Sequence, residues 1–98
     1  MAKKVVWDSG ASDDLYSLYH AFDGVESRAD AIVEAIFNAA SLLESFPFLG
    51  RSVPEVNLPS IRELIVQKYR VIYFISDGPE IRILAVRHSA KPLGDLNR

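Results

Sequence analysis

The sequence predicts an α+β fold: an antiparallel sheet with an α-helical hairpin packed on one face, in the order β-α-α-β-β-β. Three observations carry this prediction. Residues 29–43 repeat apolar side chains at helical spacing, a second and shorter helical pattern precedes them, and residues 61–88 break into three β-prone runs joined by tight turns. Its 98 residues suit one domain spanning 1–98, since compact domains usually run to about 100–150 residues.

The first element is KKVVW, residues 3–7, a short β-branched run read as a strand. Ser9 or Ser12 can cap the helix that follows. Asp13 and Asp14 then fall in its first turn, where the helix dipole favours negative charge. Leu15, Leu18, Tyr19 and Phe22 give its apolar face, and Asp23-Gly24 supplies the turn that ends it. The second helix, residues 26–45, carries the clearest signal. Ala29, Ile32, Val33, Ile36, Phe37, Ala40 and Leu43 form one stripe, expected to pack on the sheet. Asp30, Glu34, Asn38 and Ser41 lie opposite, and Pro47 closes the segment because it disfavours helical geometry in the residue before it.

FPFLGRSVPEVNLPS, residues 46–60, is an irregular connection with three prolines and a glycine. Connections this long inside a compact domain are usually functional or disordered, and the apolar content here predicts a loop pinned to the core. IRELIV (61–66) leads through Gln67-Lys68-Tyr69 into RVIYFIS (70–76), and Asp77-Gly78-Pro79 turns the chain into EIRILAVRH (80–88). Tight connections make neighbouring strands antiparallel, so the three form a meander. A period of two places Arg62, Leu64 and Val66 on one face of the first, and Arg82, Leu84, Val86 and His88 on one face of the last. The middle strand is apolar on both sides, as expected of a central strand covered by helices on one face and partly covered on the other.

Composition narrows the function classes. The hydrophobic content of 49% suits a folded globule. The absence of cysteine excludes disulfides and thiolate metal sites. His20 and His88 are the only histidines and lack metal-helix spacing, so no metal or other cofactor is expected. No apolar run has the length of a signal peptide or a membrane span, which points to a cytoplasmic protein without a membrane partner. No phosphate-binding glycine loop or nucleophile elbow is present. Net charge is −2, unevenly spread: residues 8–46 hold eight acids and one arginine, whereas residues 47–98 hold eight bases and five acids. Such a split can present one positive face or be ordinary solvated surface. Arg62 and Arg70 enter otherwise apolar strands. An arginine at a strand start can lay its stem on the core with its head in water, or aim at an anionic partner, and the sequence leaves both readings open.

Ala11 and Asp14-Leu15 in the opening segment, LLESFPFLGRSVPE at 42–55, IRELIVQKYRVIYFI at 61–75 and ILAVRH at 83–88 together resemble the RelE/ParE superfamily of toxins from bacterial type II toxin–antitoxin (plasmid stabilisation) modules. The resemblance covers nearly the whole chain and implies the same β-α-α-β-β-β order. It also implies a cognate antitoxin that folds across the toxin, alone or within a homodimer or heterotetramer. Two targets divide the family. RelE-like members are metal-independent mRNA endonucleases acting on the ribosome, and ParE-like members bind and poison DNA gyrase. The proline loop and the Tyr-Arg-Val-Ile-Tyr strand look closer to the ParE side.

For a RelE-like nuclease the resemblance implies Arg62, Arg70 and His88 as catalytic residues, supplying cations and an acid. Glu55 or Glu63 is then a candidate base. Residue 89, a tyrosine position in such nucleases, is serine here. For contact with antitoxin or target the implied residues are Arg62, Arg70, Arg87 and Lys91. RNA-gripping domains commonly have a pI above about 9, whereas the value here is 5.6. That favours a protein-binding poison. An inactive relative that only binds antitoxin is a third reading, because SAKPL, residues 89–93, carries a single base.

Overall fold

The computed structural model describes residues 3–21 and 26–90, so the Asp23-Gly24 turn and Lys91 lie outside the described residues. Strand β1 (Lys4–Trp7) is followed by helix α1 (Ser9–Ala21) and helix α2 (Glu26–Ser41), which tightens into a 3₁₀ turn at Leu42–Glu44. A two-residue strand β2 (Arg51–Ser52) precedes the meander of β3 (Ile61–Val66), β4 (Tyr69–Ile75) and β5 (Glu80–His88). The five strands form one sheet in the order β1-β5-β4-β3-β2.

The α+β class holds, with one correction and one addition to the expected antiparallel sheet. β1 joins the far edge parallel to β5, pairing Lys4 with Glu80 and Trp7 with Ile83, so the sheet is mixed. No tight turn links these strands, so nothing in their connection enforces the antiparallel sense. β2 arises inside the proline connection and pairs antiparallel with β3, Arg51 opposite Glu63 and Ser52 opposite Arg62.

Helix α1 begins at Ser9, earlier than the acidic pair suggested. Asp14 therefore sits in mid-helix, where its carboxylate accepts a bond from the Val86 amide at 2.8 Å. That amide belongs to the part of β5 that extends beyond its pairing with β1, and the aspartate satisfies it. Ala11, Leu15 and Leu18 of α1 and Ile32, Ile36, Ala40 and Leu43 of the second helical segment bury against Val71, Tyr73, Ile81, Ile83 and Val86 of the sheet. Phe37 departs from the expectation for the stripe. It is 46% exposed and packs at the margin on Trp7, with ring centroids 4.9 Å apart. The stripe is wider than the surface it covers.

One register shift corrects the period-two reading of β5. Ile72 pairs with Ala85 and Tyr73 with Ile83, so Leu84 is an extra residue, a β-bulge. Beyond it the alternation reverses. Val86 joins the helix-side core with Ile83, while Ala85 and Leu84 pack with Val53 and Ile72 on the opposite face. Arg82 and Leu84 therefore do not share a face with Val86 and His88.

Candidate functional site

The most structured polar cluster lies where the proline connection crosses the sheet edge. The connection starts on the helix side, runs along the edge as β2 and reaches the other face at Val53, which is buried against Ile72 and Ala85. Tyr73, fully buried, fastens its first part. The Tyr73 hydroxyl donates to the Pro47 carbonyl at 2.8 Å and accepts from the Gly50 amide at 2.9 Å. Burial pushes the Tyr73 phenol up from its ordinary pKa, keeping it a protonated donor. Gly50 is required by contact: a Cβ there would stand 2.4 Å from the Glu63 carbonyl oxygen and 2.8 Å from the Tyr73 hydroxyl.

Charges fasten the second part. Glu63, 1% exposed, accepts from Arg51 Nε on one oxygen and from Arg70 Nε on the other, each at 2.6 Å. Arg70, 7% exposed, turns the rest of its guanidinium to Glu55, with two parallel bonds of 2.8 Å. This bidentate pairing is the strong form of the arginine–carboxylate contact. The Arg70 hydrogen bonds hold the Glu55 carboxyl down at about 2, and the two glutamates raise the guanidinium further above its ordinary range. Two guanidinium groups thus face two carboxylates, and the array is internally compensated.

Arg62 serves the same connection. It donates to the Gly50 carbonyl at 2.8 Å and to the Pro59 carbonyl at 3.1 Å, with its guanidinium 4.9 Å from the centre of the Phe48 ring. Arg87 reaches Asp14 at 3.3 Å, and Arg82 is paired with Asp8. His88, at the end of β5, has its ring edge-on to Tyr69 at 5.4 Å, and its Nδ1 accepts from the Ala90 amide at 3.2 Å. Tyr69 belongs with the helix-side packing.

The expected site residues thus divide between locations. Glu55, Glu63 and Arg70 come together on the face covered by the connection. Arg62 sits at its edge, Arg87 beside α1, and His88 on the helix side. A pKa near the working pH makes an effective general base. Glu55, at about 2, is far from that condition.

The connection is pinned, as expected, but by fewer of its apolar residues than its composition suggested. Val53 and the partly buried Val56 hold it, while Phe46, Phe48 and Leu49 are exposed, as is Leu42 just before them. A second apolar surface is a groove of about 510 Å3 along the helical hairpin, lined by Trp7, Leu15, Tyr16, Tyr19, Val33 and Phe37. The groove was not legible in the sequence, because apolar helix spacing reads as core wherever it occurs. No helix of the described residues is long and apolar enough to cross a membrane.

A helical hairpin over a mixed sheet, with a strapped proline connection, is the architecture of the RelE/ParE-like fold. Residues 5–93 match the family described as "ParE toxin of type II toxin-antitoxin system, parDE", and the chain belongs to that family. Two solved structures share the fold. One is the chromosomal ParDE toxin–antitoxin system from P. aeruginosa, with TM-score 0.73, 21% identity, and 89% of this chain and 96% of that chain covered. The other is the RelBE2 toxin–antitoxin complex from Mycobacterium tuberculosis, with TM-score 0.61, 24% identity, and 90% and 99% covered. No curated protein gives a significant sequence match.

Proposed function

We propose that this toxin acts in the cytoplasm by binding a protein target, as a ParE-like inhibitor of DNA gyrase, and is neutralised by a cognate antitoxin. The observation that carries the reading is the internal use of its cations. Arg51, Arg70, Arg82 and Arg87 each face a carboxylate, and Arg62 faces two carbonyls. Metal-free RNA cleavage needs cationic groups aimed at developing phosphorane charge and a base with a matched pKa. Here the arginines of the sheet are committed within the fold and Glu55 is tuned away from base chemistry.

Binding by apolar contact is better provided for. The antitoxin is proposed to lie across the meander and the helical hairpin, covering the groove beside Trp7 and Phe37 and the exposed side chains Phe46 and Phe48. Arg62, at the surface beside Phe48, and Arg87 would border that contact, with Lys91 kept as a contact residue on the resemblance alone. Arg70 is too enclosed to contribute much to it.

Expression without antitoxin should trap gyrase on DNA and leave transcripts intact. Codon-positioned mRNA cleavage on ribosomes, slowed roughly 10²–10⁴-fold by His88→Ala, would instead establish the RelE-like nuclease. Neither gyrase trapping nor cleavage would identify an antitoxin-binding relative without toxicity.

A further inference from the structure

On the helix side, a cavity of about 270 Å3 opens between the start of α2, the β3–β4 loop and the end of β5. Arg28, Gln67, Lys68, Tyr69 and His88 line it over an apolar floor that includes Ile32. Among the described residues, no carboxylate takes part in the lining, although acids outnumber bases in the chain, 13 to 11. Among the described residues, Arg28 and Lys68 make no ion pair or hydrogen bond to a side chain, unlike the arginines of the sheet. Arg28 also stands in the first turn of α2, where the helix dipole disfavours a cation. Local helix energetics therefore give no reason for an arginine there.

His88 adds a directed donor. Its Nδ1 accepts from the Ala90 amide, so the neutral ring carries its proton on Nε2. Tyr69, edge-on to that ring, restrains its orientation. A planar guanidinium fork, an ammonium, an amide and an imidazole N–H together match the several oxygens of a phosphate group. The volume lies just below the range of about 300–1,000 Å3 usual for drug-sized ligands, so the phosphate would carry only a small organic group.

We infer that this cavity binds a small phosphomonoester, gripped by Arg28 and Lys68 with His88 and Gln67 completing the donor set and Tyr69 and Ile32 receiving the organic part. The inference does not rest on the gyrase reading: Arg28 and Lys68, which carry its test, play no part in that reading, and the titration reads phosphate binding whatever the toxin's target.

The test is an amide NMR titration of the full chain at low salt with inorganic phosphate, phenyl phosphate and a single-stranded oligonucleotide lacking terminal phosphates. Saturable shifts centred on Arg28, Lys68, Tyr69 and His88 are expected with both phosphates. Phenyl phosphate should bind the tighter of the two, with a Kd of about 1 mM or below. Arg28→Ala and Lys68→Ala change exposed residues and should preserve the spectrum elsewhere while each weakens binding roughly tenfold. Absence of saturation with either phosphate, unchanged affinity in both variants, or saturable binding by the oligonucleotide alone would overturn the inference. The last outcome would reassign these cations to a nucleic-acid surface.

Discussion

Under the helices, the sheet is covered by Ile36, Leu43 and their neighbours packed on Val71, Ile81 and Ile83, with few polar atoms involved. Under the proline connection, the same sheet buries a glutamate and an arginine beside a small cluster of Val53, Ile72 and Ala85. The first contact is set by volume and area, the second by the positions of particular atoms. Apolar packing tolerates exchanges of similar shape, whereas a buried ion array fails when one member loses its charge and leaves the others uncompensated. The side of the sheet with less apolar contact is therefore the side less able to absorb change.

Near-isosteric substitutions on each face probe that contrast most strongly. Glu63→Gln keeps the shape but removes the buried carboxylate that Arg51 and Arg70 share, leaving Arg70 only its pairing with Glu55, and should cost about 3–5 kcal/mol in denaturant melts. Ile36→Leu on the helix side should cost less than about 1.5 kcal/mol. Equal losses would show that the two faces are held in the same way.

Gly50→Ala comes next. The added methyl meets backbone at the Glu63 carbonyl and the hydroxyl that fastens the loop, so a loss of about 1–3 kcal/mol is expected. Chemical shifts should move in residues 46–60 while those of α1 hold still. A melt within error of the parent would mean that the connection can shift without cost.

The smallest effect concerns pH. The folded pKa of Glu55 lies at about 2, below its unfolded value near 4.5. Its stabilising share is thus fully present above pH 4.5 and is lost as pH falls through 2. The Glu55 side chain is 40% exposed, and solvent screening keeps that share modest. Glu55→Gln should flatten the stability profile between pH 4.5 and 2 and leave its shape above pH 6 unchanged. An unaltered acid limb would detach Glu55 from the clamp.

Much of the helix-covered half was legible in the sequence because period and chemistry agree there: Ile32, Ile36, Ala40 and Leu43 are spaced as a stripe and are buried as one. Phe37 was misjudged because spacing gives direction around a helix but not the extent of the surface beneath it. The clamp was harder to read. Glu63 lies opposite Arg51 only once β2 is known to form, and a two-residue strand inside a proline-rich run has no periodicity to reveal it. The bulge at Leu84 is equally silent in an apolar strand, and it moved Val86 and His88 to the other side. Arg62 and Arg70 stood out correctly as anomalous. Their partners did not, since carboxylates in a loop look solvated until the loop is laid on the sheet.

The parallel pairing of β1 with β5 also orders events in the life of the chain. Lys4 sits opposite Glu80, and closing so long a loop is entropically costly and kinetically late. A growing chain leaves the ribosome with β1 unpaired and with Ile81, Ile83 and Val86 absent from the core until β5 has emerged. The helices and the first two strands of the meander must wait for β5, so a competent toxin exists only after that strand has been translated.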